Sequence, residues 1–125
     1  MSSHGDPIVM TSRKGGPLRG EAHVPGDKSI SHRSLIFGAL AVCQSNITGL
    51  QEGHDVLDSG RLIVAFRALV INHAGCHWAV PGVGVGGFVA LDYVLDCLQS
   101  GTVLRLIIGA IATCNITVPF NAIAA

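Results

Sequence analysis

Residues 29–43 carry helical spacing, but beyond Ser34 the side chains are apolar almost all the way round: Leu35, Ile36, Phe37, Ala39, Leu40, Ala41 and Val42. A helix with one apolar stripe can lie on a surface. A helix apolar on every side must be covered on more than one. Other elements therefore have to pack around this one, and the flanking sequence offers them. Residues 18–24 alternate loosely and read as a strand, closed by Pro25 and Gly26. Residues 45–51 read as a second strand. Asp55 is placed to cap a second helix running to about residue 71, with Leu62, Ala65, Phe66 and Leu69 as its buried stripe. Pro81 and Gly82 separate two short strands, 76–80 and 83–86, and a loop follows through Asp96. Ser100 caps a third helix to about residue 112, striped by Leu104, Ile107, Ile108 and Ile111, and residues 115–120 close as a strand. The order is β-α-β-α-β-β-α-β, without a short repeat. It predicts a mixed α/β fold, a βαβαββ-type unit plus an extra helix and strand. Residues 1–16 read as a loose tail, and residues 17–125 as a single domain.

The charge pattern sharpens this. Eight basic residues balance eight acidic ones, which argues against a nucleic-acid binder. After Arg67 only Asp92, Asp96 and Arg105 are charged, so the last 58 residues have few groups with which to cover a solvated surface. Much of that segment is expected to be buried or to meet a partner. The apolar stretch from Leu106 onward is interrupted by Asn115, Pro119 and Asn121, which a membrane-spanning run of roughly 20 apolar residues would not tolerate. Cys43, Cys76, Cys97 and Cys114 are widely spaced and form no CxxC pair. The opening MSSHGDPIVM has neither a basic start nor a long apolar run. The expectation is a cytoplasmic protein with reduced thiols.

Chemistry concentrates in PGDKSISHRS, residues 25–34. Behind the Pro-Gly turn, a helix start presents free N–H groups and the positive end of its dipole. Ser29 is read as its N-cap. Ser29 and Arg33 stand i, i+4 on one face, with Lys28 at the rim. The set suits a phosphate or carboxylate, and equally an ordinary capped helix with solvated charges. It is not a Walker A loop. LQSGTVLR, residues 98–105, repeats the logic: Ser100, Gly101 and Thr102 at a helix start, Arg105 one turn on. Here too the alternative is a plain serine cap with a surface arginine. GVGVGG does not lead from a strand into a helix and reads as a tight connection rather than a dinucleotide loop. His73, Cys76 and His77 could ligate a metal, but no second ligand pair stands at zinc-finger spacing, so no metal is expected. His32 could serve as a general acid or base, although a histidine beside Arg33 is more often a hydrogen-bonding partner.

Four stretches, GPLRGEAHVPGDKSISHRSLIFGALA, ITGLQEGHDVL, VPGVGVGGF and LDCLQSGTVLRLIIG, resemble the opening of the 5-enolpyruvylshikimate-3-phosphate (EPSP) synthase family. The resemblance runs from about residue 16 to residue 120, and GDKSISHR is its most specific part. It implies transfer of the enolpyruvyl group of phosphoenolpyruvate to the 5-hydroxyl of shikimate 3-phosphate, with loss of phosphate and no metal or organic cofactor. It further implies that Lys28 contacts both substrates and is the catalytic residue of this segment. Ser29 and Arg33 would hold shikimate 3-phosphate, and Gly101, Thr102 and Arg105 the phosphoenolpyruvate wall, where the inhibitor glyphosate competes. The sequence also departs from the family. Leu98 and Gln99 stand where it has Gly-Asn, and its TGD turn and arginine-rich stretch have no counterpart before Ala125. The chain therefore resembles a truncated opening segment. Besides an enzyme or its fragment, two other readings stand. One is a non-catalytic anion-binding module. The other is a remnant that needs self-association or a complementing chain.

Overall fold

The computed structural model describes residues 8–97 and 100–121. Three helices, α1 (Lys28–Leu40), α2 (His54–Ala65) and α3 (Gly101–Ile111), pack beside a three-stranded sheet of β1 (Gln44–Thr48), β2 (Ile71–His73) and β3 (His77–Pro81). The sheet order is β1-β3-β2, antiparallel throughout, and β4 (Leu95–Asp96) pairs in parallel with β5 (Phe120–Asn121). The mixed α/β class stands. The core lies between helices and sheet, around Leu35, Val56, Leu62, Ile63, Phe66, Val80, Val103 and Ile107.

Several expected elements differ, each for a local reason. Residues 18–24 form no strand and lie exposed, Leu18 at 99%. A strand must hand its backbone N–H and C=O groups to a partner, and none pairs with it among the described residues. The first strand of the expected order is thus absent. Residues 83–86 are also not a strand, because their amides are used elsewhere. Val83 N donates to Ala39 O (2.8 Å) and Gly84 N to Ala41 O (2.9 Å), closing the end of α1. Gly82 must be glycine there, since a Cβ would sit 2.0 Å from the Ala41 carbonyl oxygen. The closing strand shrinks to Phe120–Asn121, because β4 offers only two residues to pair with and Pro119 has no N–H. Conversely, β4 lies in what read as loop.

Helix α2 stops six residues before the expected end. Arg67 adopts φ 71°, Arg67 N donates to Val64 O, and Ala68 N reaches back to Ile63 O. This is a Schellman cap, usually built on glycine. With the helix ended, Leu69 leaves the buried stripe (58% exposed) and residues 71–73 are free to become β2. In α1 the buried face is Leu35, Ile36 and Ala39, whereas Phe37 is 64% exposed, so the helix is not covered all round. In α3 the buried positions are Val103, Ile107 and Ala110, with Ile108 outside the stripe.

Candidate functional site

The site is organised by three helices that run the same way. Lys28 pairs with Asp55, and one turn later His32 pairs with Ser59. Both rungs join residues 27 apart, so α1 and α2 lie parallel and in step. The ends of α1 and α3 meet the same loop. Val83 and Gly84 bond the last carbonyls of α1, and Gly86 approaches the Thr113 carbonyl beyond α3. The three N-termini therefore open on one side of the molecule, bringing three positive dipole ends together.

At the start of α1 the N-cap is Asp27, not Ser29. Its carboxylate accepts from Ile30 N at 2.7 Å, and its carbonyl accepts from Ser31 N at 3.0 Å. Aspartate caps as well as serine, so the helix starts two residues earlier than serine capping would allow. The cap carboxylate occupies part of the helix-end field that an incoming anion would use. It also releases the Ser29 hydroxyl, which has no partner among the described residues. Gly26 lets this turn press on the next loop, where a Cβ would fall 2.1 Å from the Gly49 carbonyl oxygen. Ser31 locks the contact, donating to Asp27 O (2.7 Å) and accepting from Gln51 N (3.0 Å).

That lock brings the start of α2 up to Lys28. Asp55 is not the cap of α2; Gly53 is, without a side-chain cap bond. Asp55 sits in the first turn, and its carboxylate holds the Lys28 ammonium at the edge of a shallow cleft lined by Gln51, Gly53 and His54. Both partners are about half exposed, so the pair fixes the ammonium more than it stabilises the fold. Beneath it, His32 is fully buried. Its Nδ1 lies 2.7 Å from Ser59 Oγ, while Nε2 has no partner among the described residues. Burial, reinforced by nearby Lys28 and only partly offset by Asp55, lowers the His32 pKa below its ordinary 6.5. The imidazole is a neutral tie between helices, enclosed away from solvent and so poorly placed as an acid or base.

The α3 start matches expectation. Ser100 caps it, accepting from Val103 N at 3.3 Å, and leaves the Gly101 and Thr102 amides outside the helical bonding pattern. Among the described residues, a Cβ on Gly101 would meet nothing within 4 Å. The loop substitution at Leu98 and Gln99 lies outside the described residues. Arg33 and Arg105, read as members of separate sites, line one groove of about 390 Å³ between α1 and α3, floored by Ile36, Phe37, Leu40 and Leu106. Neither guanidinium has an ion-pair or hydrogen-bond partner among the described residues. Lys28 lies apart from that groove, on the α2 side.

Sequence reading missed Asp55 as the lysine's partner, and also missed Ser31, Gln51 and Ser59. The matching i, i+4 spacings at 28/32 and 55/59 are the one signal that could have revealed the rungs. All four cysteines are free, and burial, with Asp96 adding to it, raises the Cys97 thiol pKa. No cluster of three or more metal-ligating side chains occurs among the described residues. No helix there is long and apolar enough to cross a membrane.

A family profile described as EPSP synthase (3-phosphoshikimate 1-carboxyvinyltransferase) matches residues 12–121. The chain is 61% identical over 121 residues to the 3-phosphoshikimate 1-carboxyvinyltransferase of Ruegeria sp. (strain TM1040) and 60% identical to that of Dinoroseobacter shibae. In each case 97% of this chain is covered and 27% of the relative, so the chain spans about a quarter of their length. An EPSP synthase structure from Acinetobacter baumannii superposes with a TM-score of 0.77 at 32% identity, over 84% of this chain and 24% of that one.

Proposed function

Because this chain belongs to the EPSP synthase family, we propose that it forms one wall of a site for two anions, shikimate 3-phosphate and phosphoenolpyruvate. The relatives bear the name of the enzyme that joins them. One observation carries this reading: Arg33, in the second turn of α1, and Arg105, in the second turn of α3, line one groove between two helices whose starts open on the same side. On this reading Ser29 and Arg33 bind the phosphate of shikimate 3-phosphate. Gly101 and Thr102 offer backbone N–H groups to phosphoenolpyruvate, and Arg105 adds charge from one turn along. Lys28, oriented by Asp55, reaches both ligands from the α2 side and stabilises charge that builds as phosphate leaves.

Three cations on one wall bind better than they catalyse. A charge-assisted hydrogen bond contributes roughly 1.5–3 kcal/mol. Part of that is offset here, because Asp27 and Asp55 compete with the ligand for the same positive field. Affinity for shikimate 3-phosphate near the millimolar range, about −4 kcal/mol, is expected. Transition-state stabilisation needs preorganised groups around the whole reacting centre. The 125-residue chain is therefore expected to bind the substrate with little turnover. A phosphate-release assay beside a shikimate 3-phosphate titration tests this. Release at a rate typical of enzymes, with host enzyme excluded, would overturn the low-turnover part. Absence of any saturable binding would overturn the wall itself. Glyphosate, which competes with phosphoenolpyruvate in this family, is expected to bind poorly for the same reason.

A further inference from the structure

The hairpin of β2 and β3 carries a histidine on each side of its turn. The antiparallel register sets His73 directly opposite His77, and His77 directly opposite Thr48 on β1. Directly opposed residues share a face of the sheet, so Thr48, His77 and His73 form one row across all three strands. The opposite face packs on α1, where Val80 and Ser45 approach Gly38. The row thus faces away from the helices. Both histidines are exposed, and they border a shallow hollow of about 360 Å³ edged by Asn46 and Thr48. Neither imidazole has a hydrogen-bond or ion-pair partner among the described residues. The turn holds their spacing, with Gly75 and Cys76 both in the left-handed region (φ 79° and 57°).

We propose that His73 and His77 form a two-ligand site for a divalent transition metal that favours imidazole, with zinc as the probe. Opposed residues in an antiparallel pair place their Cβ atoms roughly 4.5–5.5 Å apart. Two Zn–N bonds of about 2.0–2.1 Å at a tetrahedral angle need nitrogens about 3.3 Å apart. Imidazoles leaning together from neighbouring strands span that difference. Water fills the remaining positions, with the Thr48 hydroxyl and the Asn46 amide at the rim to hold it. His73, Cys76 and His77 do not gather into a three-ligand cluster among the described residues, so the site is assigned to the two opposed imidazoles. With half the ligands of a structural zinc site, a dissociation constant on the order of 10–100 µM is expected. Imidazole ligands favour zinc, copper and nickel over magnesium.

The test is a zinc titration of the full chain, followed by the imidazole resonances, in a His4→Ala background so that the amino-terminal histidine does not compete. His73 and His77 should saturate together, while His23 and His54 respond only at tenfold higher zinc, and magnesium should move none of them. His73→Asn and His77→Asn should each weaken binding at least tenfold with the amide spectrum otherwise unchanged, and Cys76→Ser should leave it within twofold. Equal responses at His23 and His54, or a single histidine substitution that changes affinity less than twofold, would overturn the proposal. A tenfold loss in Cys76→Ser would overturn the two-histidine assignment.

Discussion

His32 couples its protonation state to folding. In the folded chain it is fully buried and its pKa is lowered, first by desolvation and then by Lys28. In the unfolded chain it titrates near the ordinary 6.5. Below that value the unfolded state takes up a proton that the folded state refuses, so stability falls as pH falls. The contribution is fully present above pH 6.5 and is lost toward the folded-state pKa. The expected outcome is a denaturation midpoint that drops between pH 7 and pH 5, and a His32→Gln variant with a shallower pH slope over that window. An equal slope in the variant would remove His32 as the cause. Arg33 supports a second residue-scale prediction. It makes no ion pair among the described residues, so Arg33→Ala should change stability by less than about 0.5 kcal/mol. It should nonetheless abolish saturable binding of shikimate 3-phosphate.

At the scale of elements, the helices were legible in the sequence, as were the ends of α3, whereas the start of α1 and the end of α2 were not. The spacing of Leu62 and Phe66 located α2, but nothing local marks Arg67 as a left-handed cap, a place where glycine is the usual signal. Glycine at that position removes the Cβ penalty, at some cost in unfolded-state entropy. Arg67→Gly is expected to stabilise the chain by about 0.5–1 kcal/mol in urea denaturation. At α3 the serine cap was readable, because Ser100 precedes an apolar run with no competing cap. At α1 two capping residues stand two positions apart, and propensity could not separate Asp27 from Ser29. The strands at 18–24 and 83–86 were misread for one reason. Alternation reports a preference for extended backbone, whereas a strand also requires a neighbour to bond. Gly101 gives a prediction of its own. Among the described residues nothing lies within 4 Å of a Cβ there, so Gly101→Ala should fold normally, with stability unchanged or raised by less than about 1 kcal/mol. If parent and variant both fail to bind glyphosate at low millimolar concentration, bulk at position 101 is not what limits the site. Saturable binding to the parent alone would show that it is.

For the whole molecule, the mixed α/β class and the two helices whose starts are proposed to bind anions were legible from pattern. That Arg33 and Arg105 meet in one groove was not, because the convergence depends on parallel packing across residues far apart in sequence. The groove, with Phe37 exposed beside two arginines, runs along the surface between the two helices. The central claim is that this surface binds anions as a unit. The most direct test is an amide-resolved titration with shikimate 3-phosphate, with and without phosphoenolpyruvate. Saturable shifts are expected at Ser29, Ile30 and Arg33 with the first ligand, spreading to Gly101 and Thr102 with the second, while the β2–β3 hairpin stays unmoved. Shifts scattered over the surface without saturation, or saturation confined to residues away from the starts of α1 and α3, would contradict it.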